Sequence, residues 1–172
     1  MRKLAALLLV MTFVWSSVAV AVRAEESSEK GNGELAEALE SVKVSLGDEL
    51  RASEAQGTPI SAKFEIEDGK LQLSVYTMKG DKFFEVIVDH KTGTVAKTEP
   101  IRGGDDLADA KAQAEAMAKA KSSLHDVAGK AVADNSGSQA VSIIPSLKDE
   151  RPLAAVTLVK NDSFKTISSP LD

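Results

Sequence analysis

The feature that most constrains this chain is that it says nearly the same thing twice. "SLGDELRASEAQG" at 45–57 returns in outline as "SLHDVAGKAVADN" at 123–135, an offset of 78, and "VYTMKGDKFFEVI" at 75–87 returns as "VTLVKNDSFKTIS" at 156–168, an offset of 81. A three-residue insertion separates the two matches. A duplication on this scale reduces the question of fold to that of one small unit, met twice and gaining from its neighbour because its own core is small.

Each copy opens with helix. Ser45 precedes Leu46 and stands three before Asp48, the spacing at which a serine oxygen and an acidic side chain reciprocally satisfy the first free N–H groups of a helix. Leu46, Leu50 and Ser53 then share a face, and Gly57 with Pro59 is expected to stop the helix. Ser123, Leu124, Asp126, Ala128 and Ala131 repeat the arrangement, ending by 135–137. A further helical stretch precedes each. In "ELAEALESVK" at 34–43, Leu35, Leu39 and Val42 form a stripe, and "DDLADAKAQAEAMAKAK" at 105–121 is alanine-rich with acids at its start, where the helix dipole favours them. The pattern leaves open whether these stretches run into the helices that follow.

Strands come next. In "SAKFEIEDGKLQLSVYTM", Ala62, Phe64 and Ile66 alternate with Lys63, Glu65 and Glu67, the chain turns at Asp68-Gly69, and Leu71, Leu73 and Val75 resume. Alternation on both sides of Asp-Gly signals a hairpin. Lys79 to Asp81 makes the next turn, and "KFFEVIVD" is a third strand with Phe84, Val86 and Val88 on one face and Phe83 and Ile87 on the other. A strand apolar on both faces is covered on both. In the second copy Pro145 suits an edge or a bulge, Asp149 to Pro152 makes the turn, and "SFKTIS" is the last strand.

"VDHKTG" at 88–93 gathers Asp89, His90 and Lys91 after that third strand, and this chain has only two histidines. Adjacent residues on extended chain point opposite ways, so Asp89 is badly placed to orient His90 as a base or metal ligand. As a turn the stretch makes sense: Asp89 can accept from backbone amides two residues on, and Gly93 can take positive φ. Asp68, Gly69, Asp89, Thr92 and Gly93 are therefore read as structural turn residues. Val95 and Ala96 begin a short return strand. His125 lies on a helix with no histidine or carboxylate four residues away.

The segment 1–24 reads as a secretory signal: Arg2 and Lys3, an apolar run from Leu4 to Trp15, then Val22-Arg23-Ala24 ahead of Glu25. An uncleaved anchor is the competing reading, weakened by Thr12, Ser16, Ser17 and the acidic stretch that follows. Processing before Glu25 removes three cationic residues and no acid, taking the formal charge from −5 to −8. That acidity and the absence of clustered Lys/Arg argue against a nucleic-acid partner. There is no cysteine, which excludes disulfides, thiolate chemistry and cysteine-type zinc sites, and an unstapled exported chain fits the bacterial periplasm or cell exterior. No second apolar stretch is long enough to span a bilayer, so stable membrane insertion after processing is not expected.

On these residues the first copy resembles a PepSY domain. "VSLGDELRASEAQG…PISAKFEIEDGKLQLSVYTMKGDKFFEVIVDHKTGTV" follows that family's order of short helix, acidic "E-x-E-D-G-K" hairpin, "V-Y" strand and "V-D-x-x-T-G-x-V" turn over about residues 44–96, with Glu65, Asp68, Gly69, Tyr76, Asp89, Thr92, Gly93 and Val95 at the pattern positions. Residues 123–168 resemble a divergent second copy, with "KDERP" in the hairpin, Thr157 in place of the tyrosine and no "D-x-x-T-G". The resemblance implies an α+β fold of two repeats, each a helix packed on a three-stranded antiparallel sheet. The division would be 1–24 signal peptide, 25–102 first repeat with a helical extension, and 103–172 helix and second repeat. It further implies an exported protein of the kind proposed to inhibit or restrain peptidases.

Three functions compete. The first is a non-catalytic protein-binding module acting on a peptidase or another periplasmic protein through its sheet or strand edges. Tyr76, Phe83 and Ile87 are its candidate interface residues, with contact between the repeats the stronger use for Phe83 and Ile87. The second is a hydrolase using carboxylates such as Asp105 and Asp106, which read more simply as a linker and helix start. The third is a small-ligand or cation binder using Glu65 and Glu67, which read more simply as the wet face of a strand. No nucleophile sits beside a base, and no phosphate loop or metal-ligand spacing occurs, so no catalytic residue, cofactor or metal is assigned.

Overall fold

The computed structural model describes residues 31–172. The signal segment lies outside the described residues. Residues 31–39 are helical (α1). There follow α2 (Leu46–Ser53), β1 (Thr58–Glu67), β2 (Lys70–Lys79), β3 (Lys82–Val88), β4 (Val95–Ile101), α3 (Gly104–Lys119), α4 (Leu124–Asp134), β5 (Gln139–Lys148), β6 (Arg151–Lys160) and β7 (Ser163–Pro170). The fold is α+β. Its strands form one antiparallel sheet in the order β4-β3-β2-β1-β5-β6-β7, in place of the separate three-stranded sheets expected for two repeats.

The strands of the two halves meet at the centre. β1 pairs with β5 through Ala62↔Ile143 and Lys63↔Ser142. The bounds of β5 and β6 repeat those of β1 and β2 at a constant offset of 81. Register shifts occur at Pro59/Ser61 and again at Ala140/Ser142, at the same offset. The helices correspond less closely. The Ser45 oxygen accepts from the Asp48 amide in a reciprocal capping box, and Ser123 accepts from Asp126 at an offset of 78.

Alternation decides which face carries the main core. Ala62, Phe64, Leu73, Val75, Val86, Val88, Ile143, Ala154, Val156 and Leu158 are buried on one side of the sheet. Leu39 of α1, Leu46 and Leu50 of α2, and Leu124, Val127, Ala128 and Ala131 of α4 close over them. Because α2 and α4 bury side chains in the same cluster, neither half has a main core of its own. Burial on this scale stabilises by about 1.5 to 3 kcal/mol per large apolar side chain.

The opposite face is crossed by α3. Ile60, Ala110 and Ala114 form a second buried cluster, with Tyr76, Met78, Phe83 and Ile101 packed against it. Alanines four apart let the helix approach the sheet closely. The buried Ser61 hydroxyl donates to Gln113 Oε1 at 2.7 Å. The Tyr76 hydroxyl donates to Asp106 Oδ1 at 2.9 Å near the start of α3, and Lys119 near its end pairs with Glu150.

Several boundaries differ from expectation for identifiable reasons. Pro59 lies inside β1 instead of ending α2, which closes at Ser53 before a turn. The return strand after Gly93 runs from Val95 to Ile101, longer than the short strand expected, so that it takes in Pro100 and Ile101. Pro145 sits within the interior strand β5 and not at an edge. It is tolerated there because the β1–β5 ladder stops at Ile143, leaving that flank of β5 without bonds to lose. The helical stretches do not run together: residues 40–45 separate α1 from α2, and 120–123 separate α3 from α4. No helix among the described residues is long and apolar enough to cross a membrane.

Candidate interaction surface

The turns need positive φ at defined places, and the sequence supplies residues that tolerate it. Asp68 and Gly69 have φ of 50° and 71°, and Asp149 and Glu150 take 50° and 64° in the matching turn. In the β3–β4 turn, Asp89 Oδ1 accepts from the amides of Lys91 and Thr92 at 2.9 and 2.8 Å, and Gly93 has φ of 71°. Those two amides, Thr92 first, hold the Asp89 carboxyl below the usual range. The Thr92 hydroxyl meets that of Thr94 at 2.8 Å. The His90 carbonyl accepts the Lys43 amide at 3.0 Å, tying the α1–α2 connection to this turn.

Tyr76 and Phe83 lie beneath α3. Burial, reinforced by the Asp106 hydrogen bond, pushes the tyrosine hydroxyl well above the usual phenol range. Ile87 is half-buried in the row Ser74–Ile87–Lys97. Nearby carboxylates are engaged: Glu65 accepts from Lys63 at 2.7 Å and from Ser74 at 2.9 Å, and Glu67 accepts from Gln72 at 2.7 Å. Burial, and then the charges of Glu65, Glu67 and Asp106, raise the Glu85 carboxyl, partly offset by the nearby Ser74 hydroxyl. Among the described residues no group of three or more His, Asp or Glu is placed to hold a metal ion.

His125 lines a cleft of about 490 Å³ between the end of α2 and the start of α4. Its Nδ1 lies 3.2 Å from Asp126 Oδ1, while the Ser123 hydroxyl donates to the other oxygen of Asp126 at 2.7 Å. The serine thus faces a carboxylate already lowered by that bond, and the local chemistry is helix capping.

Sequence reasoning missed Glu49. Its residue is 0 % exposed, and among the described residues neither carboxyl oxygen has a hydrogen-bond partner. Burial pushes its pKa up to about 9, and the charges of Asp48 and Asp89 add to the rise. It is a neutral acid inside the core at pH 7. The signal was present, since Glu49 is three residues from Leu46 and shares its stripe.

Among the described residues the sheet has two terminal strands, β4 and β7, and they differ. β4 carries Lys97 paired to Glu99 at 2.7 Å, and Pro100, features that discourage another strand from adding. β7 reads Ser-Phe-Lys-Thr-Ile-Ser-Ser-Pro, with one charged side chain and its proline at the last position. From Ser163 to Ser169, β7 therefore offers edge backbone free of proline.

No family model matches the chain, and no curated protein matches it. Among solved structures, a protein of Clostridium difficile 630 provisionally described as a lipoprotein is similar at 13 % identity and a TM-score of 0.42, covering 76 % of this chain and 88 % of its own.

Proposed function

We propose that this chain is an exported bacterial protein of two PepSY-like units, the second divergent, that carries no catalysis and binds another protein. It restrains a peptidase by accepting an extended segment of it along the outer edge of β7. The observation that carries this reading is the asymmetry of the two edges, β4 guarded by Pro100 and the Lys97–Glu99 pair and β7 left open. An open edge supplies backbone bonds to any extended segment, a recurrent mode of peptide capture. The tandem arrangement is supported by the common offset of 81 in β1/β5 and β2/β6. Export to the periplasm or cell exterior is supported by the N-terminal sequence. The test is inhibition of a thermolysin-like metallopeptidase by the chain beginning at Glu25. Inhibition saturating near one-to-one is expected, and full peptidase activity in excess protein would refute the peptidase assignment.

A further inference from the structure

β4 lies along the outer side of β3, whereas β7, which follows β6 as β3 follows β2, has no strand on its outer side among the described residues. β3 begins at Lys82 and β7 at Ser163, again an offset of 81. The first half therefore displays the geometry of a strand on this edge. Its register is Phe84↔Pro100, Glu85↔Glu99 and Val86↔Thr98. By the same offset Lys165 stands where Phe84 does, so the place across from Lys165 is the one that Pro100 occupies in β4.

Beside that place is a cleft of about 510 Å³ whose lining includes Asn135, Ser138, Lys160, Asn161 and Lys165. Two lysines and, among the described residues, no acidic residue line it, in a chain of net charge −5. Lys160 Nζ donates to the Ser136 carbonyl at 2.7 Å, which leaves it further N–H groups for an acceptor. Lys165 is exposed and pairs in register with buried Leu158, which also lines the cleft, so both belong to this side of the sheet. Asp162, in the adjoining turn, is not part of the lining.

We propose that the β7 edge selects an extended peptide with an acidic residue across from Lys165, its carboxylate entering the cleft between Lys165 and Lys160. This rests on the β7-edge reading above and names its partner: a strand-forming segment, antiparallel to residues 163–169, with aspartate or glutamate at one fixed position. Backbone pairing supplies affinity, and the lysine-lined cleft supplies the choice of side chain.

Three blocked heptapeptides test this in the ¹⁵N-labelled protein: VAKTEEI, which is the β4 sequence with glutamate at the proline position, and the same peptide with glutamine or lysine there. The amides of 163–169 should shift, with the glutamate peptide binding about threefold to fivefold tighter than the glutamine peptide, the size of an exposed ion pair, and the lysine peptide weakest. Lys165→Glu should reverse the order. Equal shifts and affinities for all three peptides would overturn the acidic selection while leaving edge binding intact. No movement of the β7 amides with any peptide at millimolar concentration would overturn both.

Discussion

Replacing Glu49 by glutamine should make the protein more stable at neutral pH and remove most of a steep pH dependence. The carboxyl is fully buried with both oxygens unpartnered among the described residues, and its pKa rises from an ordinary 4.5 to about 9. Two nearby carboxyls cannot relieve it by taking the proton themselves. Asp48 is held ionised by Ser45, and Asp89 by the Thr92 and Lys91 amides. The folded state thus holds a proton that the unfolded chain releases. The associated stability is complete below about pH 4.5 and is lost as pH rises toward 9. At 1.36 kcal/mol per unit, the loss amounts to about 3 kcal/mol at pH 7 and about 4 kcal/mol between pH 5 and 8. Glutamine has nearly the shape of the neutral acid and does not titrate. Glu49→Gln should therefore match the parent near pH 4.5 and exceed its midpoint by about 6 to 12 °C at pH 7. Thermal unfolding of both proteins across pH 4.5–8.5 decides the matter. Parallel curves would refute the argument, because titrations elsewhere, including that of Glu85, are common to both proteins.

Gly93→Ala should cost about 1 kcal/mol or more, since φ is 71° and an added Cβ would lie 3.3 Å from Val44 Cγ1; His90→Ala should stay within about 0.5 kcal/mol, because the carbonyl that binds Lys43 is retained. Urea titration of both variants checks this pair. A fragment of residues 25–102 should unfold far below the full chain and bind a hydrophobic dye, as it loses β5 from beside β1, α4 from beside α2, and the α3 alanines from above Ile60; an unchanged midpoint would contradict the shared core. Mass spectrometry of the processed protein should find Glu25, or a residue within a few positions of it, at the N-terminus, and recovery of chain starting at Met1 in membranes would contradict export with cleavage.

How much was legible varies with the range of the interaction. Ser45 with Asp48, Asp68-Gly69 and the alternation of Ala62, Phe64, Leu73 and Val75 involve neighbours along the chain, and helix, turn and buried face follow from them. The joining of β1 to β5 did not follow. It rests on only two register pairs, Ala62↔Ile143 and Lys63↔Ser142, across residues that also suit an edge strand. The cover over Phe83 was visible as a need, since that strand is apolar on both faces, and contact between the repeats was the expected use of it; that α3 lies over it was not visible. The alanine-rich stretch 105–121 reads as a weakly amphipathic helix, and only the packing of Ala110 and Ala114 on Ile60 shows which surface it covers. Pro145 misled because a proline in an interior strand is permissible only where a neighbouring ladder has ended, which is a tertiary fact. Of the site, the difference between β4 and β7 was written in Pro100, Lys97 and Glu99. Its meaning required knowing that both strands are terminal.

If a partner strand adds to β7 as proposed, the β7 amides become hydrogen-bonded and protected from solvent. Amide hydrogen exchange, followed residue by residue in the chain beginning at Glu25 with and without a thermolysin-like metallopeptidase made catalytically inert, measures that protection. Exchange should slow through 163–169, with β4 at 95–101 unchanged. Protection confined to β4 or to the helices, with β7 exchanging as in the free protein, would contradict strand addition to β7.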